Sequence, residues 1–168
     1  ARGNYEKAAR SFRKATDLEP DNIEALNNLG VAYRNTGRFS DALVVVEKAL
    51  QLSKGRSDVY YNLANVHKSL GNSEDARESY EKAIELNPEL ALAYNNLGTL
   101  LERDGKPREA VEVFKRGLNV DPHHPKLHYN YGIALESLGE YEEAGRAYTE
   151  SLTRQPGWTD ALTNLGIV

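Results

Sequence analysis

The stretch Ala25-Leu26-Asn27-Asn28-Leu29-Gly30 decides the fold, because versions of it return at a fixed interval of 34 residues. The returning segments are 59–64 (VYYNLA), 93–98 (AYNNLG), 127–132 (LHYNYG) and 161–166 (ALTNLG). Each carries an asparagine two residues before a glycine or alanine. A period in this range is typical of stacked helix pairs, which cannot bury their apolar faces singly and so form a solenoid.

Other positions keep the same period. Twelve residues after the small residue comes an alanine, and four residues later, except in the first unit, comes an aromatic residue on the same helical face, as in Ala110 and Phe114. Twenty-four residues after the small residue, three of the units have a proline: Pro88, Pro122 and Pro156. A proline ring is unfavourable inside a helix but acceptable at its beginning, so each proline is expected to separate two helix pairs.

These positions resemble the tetratricopeptide repeat from end to end of the chain. The resemblance implies an all-α fold, a right-handed α-solenoid superhelix of stacked antiparallel helix pairs with about ten helices. The expected units are a half repeat over 1–22, full repeats over 23–56, 57–90, 91–124 and 125–158, and a half repeat over 159–168. Because natural arrays normally carry capping elements, the chain is expected to be a piece of a longer protein.

The frame predicts helices near 5–19, 23–36, 40–53, 57–70, 74–87, 91–104, 108–120, 125–138, 142–154 and 158–168. Glycine suits the position just past a helix end, so Gly37, Gly71, Gly105 and Gly139 are expected in turns. Gly3-Asn4-Tyr5 is expected to form an equivalent turn. The segment 53–57 (SKGRS) lacks the usual proline, and we expect a looser or longer turn there.

Composition excludes several classes of function. A net charge of -4 is unlike that of a protein that binds a nucleic-acid backbone. No segment approaches the roughly 20 apolar residues of a membrane span, and a soluble, cytoplasmic protein is expected. With no cysteine, a zinc ribbon is impossible, and His124 and His128 are better explained by packing. No catalytic constellation is present and no cofactor is expected, although a parent protein could be an enzyme.

The asparagine column suggests the function. When each repeat is numbered so that its small residue is eighth, positions four, seven, eight and eleven form the buried side of the first helix. Positions two, five, six, nine, twelve and thirteen lie on the opposite arc, which by resemblance faces the concave groove. Position six is always asparagine: Asn28, Asn62, Asn96, Asn130 and Asn164.

A carboxamide carries a donor and an acceptor side by side and can pair with a peptide unit. The sequence therefore predicts a groove that binds a partner protein or peptide in extended conformation. Beside the column, the residues predicted to contact the ligand are Asn27, Arg34, Tyr61, Asn65, Lys68, Asn95, Lys126 and Tyr129. The column is similar to the asparagine ladder in the repeat region of O-linked N-acetylglucosamine transferase.

Three alternatives stay open at this stage. The asparagines could brace neighbouring repeats instead of binding a ligand. The chain could be the substrate-recruiting region of a larger glycosyltransferase-type enzyme. It could also be a scaffold that assembles with further copies of itself.

Overall fold

The computed structural model describes residues 2–167, and side chains over 2–166. Over these residues the secondary structure consists of ten α-helices. They are α1 (Arg2–Leu18), α2 (Ile23–Asn35), α3 (Phe39–Ser53), α4 (Ser57–Leu70), α5 (Ser73–Leu86), α6 (Ala91–Arg103), α7 (Pro107–Val120), α8 (Pro125–Ser137), α9 (Tyr141–Arg154) and α10 (Thr159–Ile167). The all-α prediction is confirmed.

The helix bounds from α2 onward agree with the prediction to within one residue. Ala1 and Val168, the outer ends of the two predicted half repeats, lie outside the described residues. The predicted turn at Gly3-Asn4-Tyr5 is wrong, because α1 is already helical from Arg2. Such a turn reverses the chain between two packed helices, and no helix precedes α1 among the described residues.

The four interhelix glycines adopt the left-handed conformation expected of them. Gly37, Gly71, Gly105 and Gly139 have φ values of 86, 83, 75 and 78°. In this conformation a residue with a Cβ is strained, whereas glycine is not. The glycines therefore end the first helix of each pair, and the second helix begins two residues after each glycine.

The segment between α3 and α4 is shorter, not longer, than the segment between α5 and α6. Only residues 54–56 separate α3 from α4, whereas residues 87–90 separate α5 from α6. Lys54 and Gly55 both have positive φ, at 51 and 97°. Without a proline α3 continues to Ser53, and two successive left-handed residues then reverse the chain, so the expectation of a longer turn is wrong.

The chain divides into two compact units, residues 1–87 and 88–168. In the first unit, α2 packs on α1 and α3, and α4 packs on α3 and α5. Its core contains Leu26, Tyr33, Val46 and Val59. The second unit has the same order of contacts from α6 to α10, around the fully buried Phe114, Leu127, Leu135 and Tyr148.

Two histidines that sequence reasoning had weighed as metal ligands have local roles in the structure. The ring nitrogen Nδ1 of His124 accepts a hydrogen bond from the backbone N–H of Leu127 and so caps the start of α8. His128 Nε2 lies 2.9 Å from the carbonyl oxygen of Pro122. No cluster of three potential metal ligands occurs within the described residues.

Candidate functional site

The asparagine column lies near the middle of the first helix of each pair. Its members are half-buried side chains on α2, α4, α6, α8 and α10: Asn28, Asn62, Asn96, Asn130 and Asn164. Asparagine is a poor residue for a helix interior, so its side chain usually has a specific partner there.

In the first unit, a chain of hydrogen bonds joins Asn62 of the column to Asn27 of the preceding repeat and then to Asp58. Asn62 Nδ2 donates to Asn27 Oδ1 at 3.0 Å, and Asn27 Nδ2 donates to Asp58 Oδ2 at 3.4 Å. Asp58 is held by two hydrogen bonds from the Arg56 guanidinium, at 3.0 and 2.8 Å. Because an ionised carboxylate only accepts, Asp58 orients the Asn27 carboxamide, and Asn27 Oδ1 must then accept from Asn62.

In the second unit, the same contact recurs two repeats later. Asn130 Nδ2 donates to Asn95 Oδ1 at 2.9 Å and to Thr99 Oγ1 at 3.3 Å. Asn95 Nδ2 in turn approaches Asn96 Oδ1 at 3.4 Å. Both amide hydrogens of Asn130 are therefore directed at the first helix of the preceding repeat.

Asn164 continues the pattern with a different partner. Its Nδ2 lies 3.4 Å from the Tyr129 hydroxyl and 3.5 Å from the Tyr148 hydroxyl. Asn62, Asn130 and Asn164 thus all donate to the position-five residue of the preceding repeat, 35 residues earlier. The amide nitrogens of these three side chains therefore join neighbouring repeats by hydrogen bonds.

The carboxamide oxygens of the same three side chains remain available to accept hydrogen bonds. Across the part of the chain that the structure describes, Oδ1 of Asn62, Asn130 and Asn164 accepts no hydrogen bond. Asn28 has no side-chain hydrogen bond among residues 2–166. The column therefore combines an internal brace with a set of unused, partly exposed acceptors.

Three asparagines predicted to contact a ligand are buried instead. Asn27, Asn65 and Asn95 are only 6, 4 and 9% exposed. Asn65 Nδ2 donates to the carbonyl oxygen of Tyr61 at 2.9 Å, and its Oδ1 accepts from the Tyr80 hydroxyl at 2.7 Å. The prediction for these three residues is corrected, because they support the column and do not lie on the surface. Asn27 and Asn95 contact the next repeat, and the Asn65 side chain turns inward.

The two tyrosines predicted beside the column are half-buried and stack on other rings. The centroids of Tyr61 and Tyr80 are 6.0 Å apart, and Tyr129 lies 5.8 Å from Tyr148 and 4.4 Å from Trp158. Burial is the main cause that raises the pKa of Tyr129, with Asp160 adding to it. The Tyr129 hydroxyl therefore keeps its proton at neutral pH and can donate to a ligand while it accepts from Asn164.

The predicted basic residues are more accessible than the buried asparagines. Lys126 is exposed, and Arg34 and Lys68 are half-buried. The ammonium of Lys68 lies 5.9 Å from the centroid of the Tyr80 ring, at the outer limit of a cation–π contact. These three cations lie on first helices, as the sequence predicted.

Sequence reasoning missed the residues that orient the column. Asp58 and Thr99 were visible as polar residues on the groove arc, but nothing in their spacing shows which atom of an asparagine they bind. The ring of Tyr148 lies in the core, yet its hydroxyl reaches Asn164. Only the stacking of the helices reveals these contacts.

The described helices include none with both the length and the apolar character that crossing a membrane requires.

Comparison with known proteins places the chain among repeat proteins. Models of the tetratricopeptide repeat match residues 21–89, 55–123 and 96–157, and a model of the TPR repeat matches residues 1–37. No curated protein gives a significant match.

Solved structures of similar fold agree with these matches. MamA is 26% identical, with 92% of this chain and 90% of MamA aligned at a TM-score of 0.81. YrrB, described as a TPR protein with an unusual peptide-binding site, is 26% identical over 96% of this chain and 83% of its own, at a TM-score of 0.76. A thermophilic TPR protein of Thermus thermophilus, TTC0263, is 21% identical over 98% and 90% of the two chains, at 0.81, and supports the fold alone.

The matched segments together cover most of the 168 residues, and the helix pairs, the left-handed glycines and the 34-residue period agree with them. The chain belongs to the tetratricopeptide repeat family.

Proposed function

We propose that the chain is an interaction module that binds an extended segment of a partner protein along the asparagine column. Proteins of this family generally act as protein-interaction scaffolds, and YrrB is described as having a peptide-binding site. In this chain the proposed contacts are Asn28 and Asn62 in the first unit and Asn96, Asn130 and Asn164 in the second.

The observation that carries the proposal is the shared orientation of the carboxamides. Asn62, Asn130 and Asn164 each direct nitrogen at the preceding repeat, so their unused group is an oxygen. A carbonyl oxygen accepts from N–H groups, and the donors of an extended peptide are its backbone amides. The column is therefore expected to bind peptide N–H groups and to contribute little selectivity for side chains.

The spacing of the column suits an extended chain. First helices that pack as ordinary neighbours lie roughly 10 Å apart. An extended peptide advances about 3.3 Å per residue, so neighbouring asparagines in one unit would contact about every third residue. Selectivity would come from the residues around the column, namely Tyr61, Tyr129 and the cations Arg34, Lys68 and Lys126.

Two candidate contacts are favoured over the others. Tyr129 and Trp158 form a stacked pair beside Asn164, and both rings are half-buried. This tilted pair offers an apolar surface with the Tyr129 hydroxyl at its edge, whereas the Trp158 indole N–H donates to Asp160 Oδ2 at 3.4 Å. We expect this pair to favour a partner segment with an apolar side chain near the residue that Asn164 contacts.

The test begins with peptides selected on the intact chain from a random pool of 12-residue sequences. The best peptide is then measured against an Asn62→Ala, Asn130→Ala, Asn164→Ala variant. Three lost contacts of about 0.5–1.5 kcal/mol each predict at least about tenfold weaker binding. Asn119→Ala is the matched control, because Asn119 is an exposed asparagine on α7, outside the column.

Since the triple variant also loses the inter-repeat brace, a second measurement leaves the protein unchanged. The same peptide is synthesised with single backbone N-methyl groups along its length. Weakened binding at about every third position supports backbone recognition, whereas uniform tolerance of N-methylation contradicts it. Peptides that bind the folded triple variant as tightly as the intact chain would place recognition elsewhere on the molecule.

A further inference from the structure

A cavity in the first unit lies outside the asparagine column. It has a volume of about 440 Å³ and is bounded by α1, the end of α2 and the turn that follows. The charged and polar side chains that matter for its chemistry are Arg2, Glu6, Arg10, Arg13, Tyr33 and Arg38. Tyr33 is five residues after Asn28 on α2, so the two side chains point about 140° apart around the helix.

The lining of this cavity is strongly basic. It contains four arginines and one carboxylate, in a chain whose net charge is -4. Arg2 lies 3.9 Å from Glu6, and Arg38 donates to Asp41 at 2.7 Å while its guanidinium lies 4.0 Å from the centroid of the Tyr33 ring. The charges of Arg2 and Arg38 are therefore at least partly neutralised by nearby carboxylates.

The other two cations, Arg10 and Arg13, form no ion pair in the part of the chain that the structure describes, although Arg13 also lines an adjoining pocket with Asp17 and Asp41. Within the described residues, no carboxylate oxygen lies within 4.0 Å of either guanidinium. Among residues 2–166, the guanidinium of Arg13 has one polar contact, with the Tyr33 hydroxyl at 3.5 Å. Arg10 and Arg13 are exposed along one side of α1, three residues apart, so their guanidinium groups can reach the same ligand.

The repeat itself does not require two bases at these positions. The equivalent pairs in the following repeats are Val44 and Glu47, Glu78 and Glu81, Glu112 and Lys115, and Arg146 and Thr149. In the third of these, Lys115 lies 3.7 Å from Glu112, so that pair is internally neutralised. The pair on α1 differs from all of them in carrying two cations that form no ion pair within residues 2–166.

We propose that this cavity is a second binding site, which takes an anionic side chain of a partner protein segment. The guanidinium fork matches the geometry of carboxylate and phosphate oxygens, and two forks can hold one phosphorylated side chain or two neighbouring carboxylates. The cavity volume falls in the range of sites that enclose small groups. A nucleic-acid backbone needs a longer row of cations than this acidic chain provides, so a peptide is the favoured occupant.

The test uses fluorescent peptides with the intact 168-residue chain at low ionic strength. Four otherwise identical unstructured peptides carry Glu-Glu, phosphoserine, Gln-Gln or serine at their centre, and a duplex DNA oligonucleotide serves as a competing polyanion. We expect at least about tenfold tighter binding of one or both anionic peptides than of their neutral partners. Which of them binds better distinguishes a carboxylate from a phosphate source.

Arg10→Gln with Arg13→Gln should abolish that preference, because it removes both uncompensated charges and keeps helix-forming side chains. Lys115→Gln is the matched control, since Lys115 occupies the position equivalent to Arg13 and is expected to leave binding unchanged. Equal binding of anionic and neutral peptides overturns the proposal. So does an unchanged preference in the double variant, or binding of DNA in place of both anionic peptides.

Discussion

At the scale of single residues, Gly98 and Gly132 are required by the packing of the two helices of a pair. A Cβ placed on Gly98 would lie 2.5 Å from the Phe114 ring, and one on Gly132 would lie 2.5 Å from the Tyr148 ring. Both rings are fully buried and cannot move aside. Gly98 and Gly132 are thus the contact points between the first and second helices of their pairs.

Gly98→Ala should therefore destabilise the chain. Overpacking a filled core costs about 1–3 kcal/mol, partly offset by the roughly 1 kcal/mol better helix propensity of alanine. We expect a net loss of up to about 2 kcal/mol in the free energy of unfolding, measured by urea denaturation. Gly166→Ala is the control, because nothing lies within 4 Å of a Cβ there, and it should not destabilise. Equal effects of the two substitutions would contradict this account.

Ser151→Ala should stabilise the chain, in contrast to Gly98→Ala. Ser151 is fully buried on α9, and its hydroxyl oxygen has no hydrogen-bond partner among the described residues. A buried, unpaired hydroxyl costs about 1–3 kcal/mol, and the equivalent residues Ala49 and Ala83 are alanines. We expect the urea midpoint to rise, by the equivalent of about 1 kcal/mol. A fall in the midpoint would show that the hydroxyl is satisfied, for example by a bound water.

At the scale of elements, α8 and α9 are joined by two reciprocal hydrogen bonds. The Tyr131 hydroxyl on α8 donates to Glu143 Oε1 on α9 at 2.6 Å, and the Tyr148 hydroxyl on α9 donates to Glu136 Oε2 on α8 at 2.6 Å. Burial raises the pKa of both tyrosines, and the glutamate that each one contacts raises it further. This helix pair therefore depends on two protonated phenols.

The sign of the resulting pH dependence follows from the direction of these shifts. A group whose pKa is higher in the folded state contributes stability below its unfolded pKa, which for tyrosine is about 10. That contribution is lost as the pH rises above this value. We expect the urea midpoint to fall between about pH 9 and pH 11, and to fall less in Tyr131→Phe.

Tyr141→Phe is the matched control for this prediction. Tyr141 is 57% exposed at the start of α9 and belongs to neither hydrogen-bonded pair. It should leave the alkaline fall as steep as in the unchanged chain. If Tyr131→Phe and Tyr141→Phe respond alike, the alkaline effect comes from lysines or other groups.

At the scale of the whole molecule, the chain consists of two compact units whose helices contact mainly their neighbours in sequence. In such arrays stability is approximately a sum over repeats and their interfaces. Each unit has its own buried aromatic residues, such as Tyr80 in the first and Phe114 in the second. Neither unit needs a distant part of the chain to complete its core.

Residues 1–87 should therefore fold without the rest of the chain. We expect a helical circular dichroism spectrum and a cooperative urea transition with about half the denaturant dependence of the whole chain, because that slope scales with the surface exposed on unfolding. Residues 1–71 form the control, since they lack α5 and with it Tyr80, which packs on α4. Loss of helicity in both fragments would contradict independent folding of the first unit.

The sequence by itself determined the period, the helix pairs, the left-handed glycines and the position of the asparagine column. It could do so because helix periodicity, glycine conformation and burial of one helical face are local properties that recur with the 34-residue repeat. The same local reasoning failed at Gly3-Asn4-Tyr5 and at residues 54–56, where the surrounding helices decide the backbone.

Only the tertiary structure decided what the column does with its two polar groups. Asn62, Asn130 and Asn164 pair with residues 35 positions earlier, an offset set by how one helix pair stacks on the next. The same stacking buries Asn27 and Asn95 and, where α1 meets the end of α2, brings Arg13 and Arg38 to one cavity. Hydrogen-bond direction and side-chain exposure depend on atoms brought together from separate repeats, and a repeated sequence pattern contains no information on that geometry.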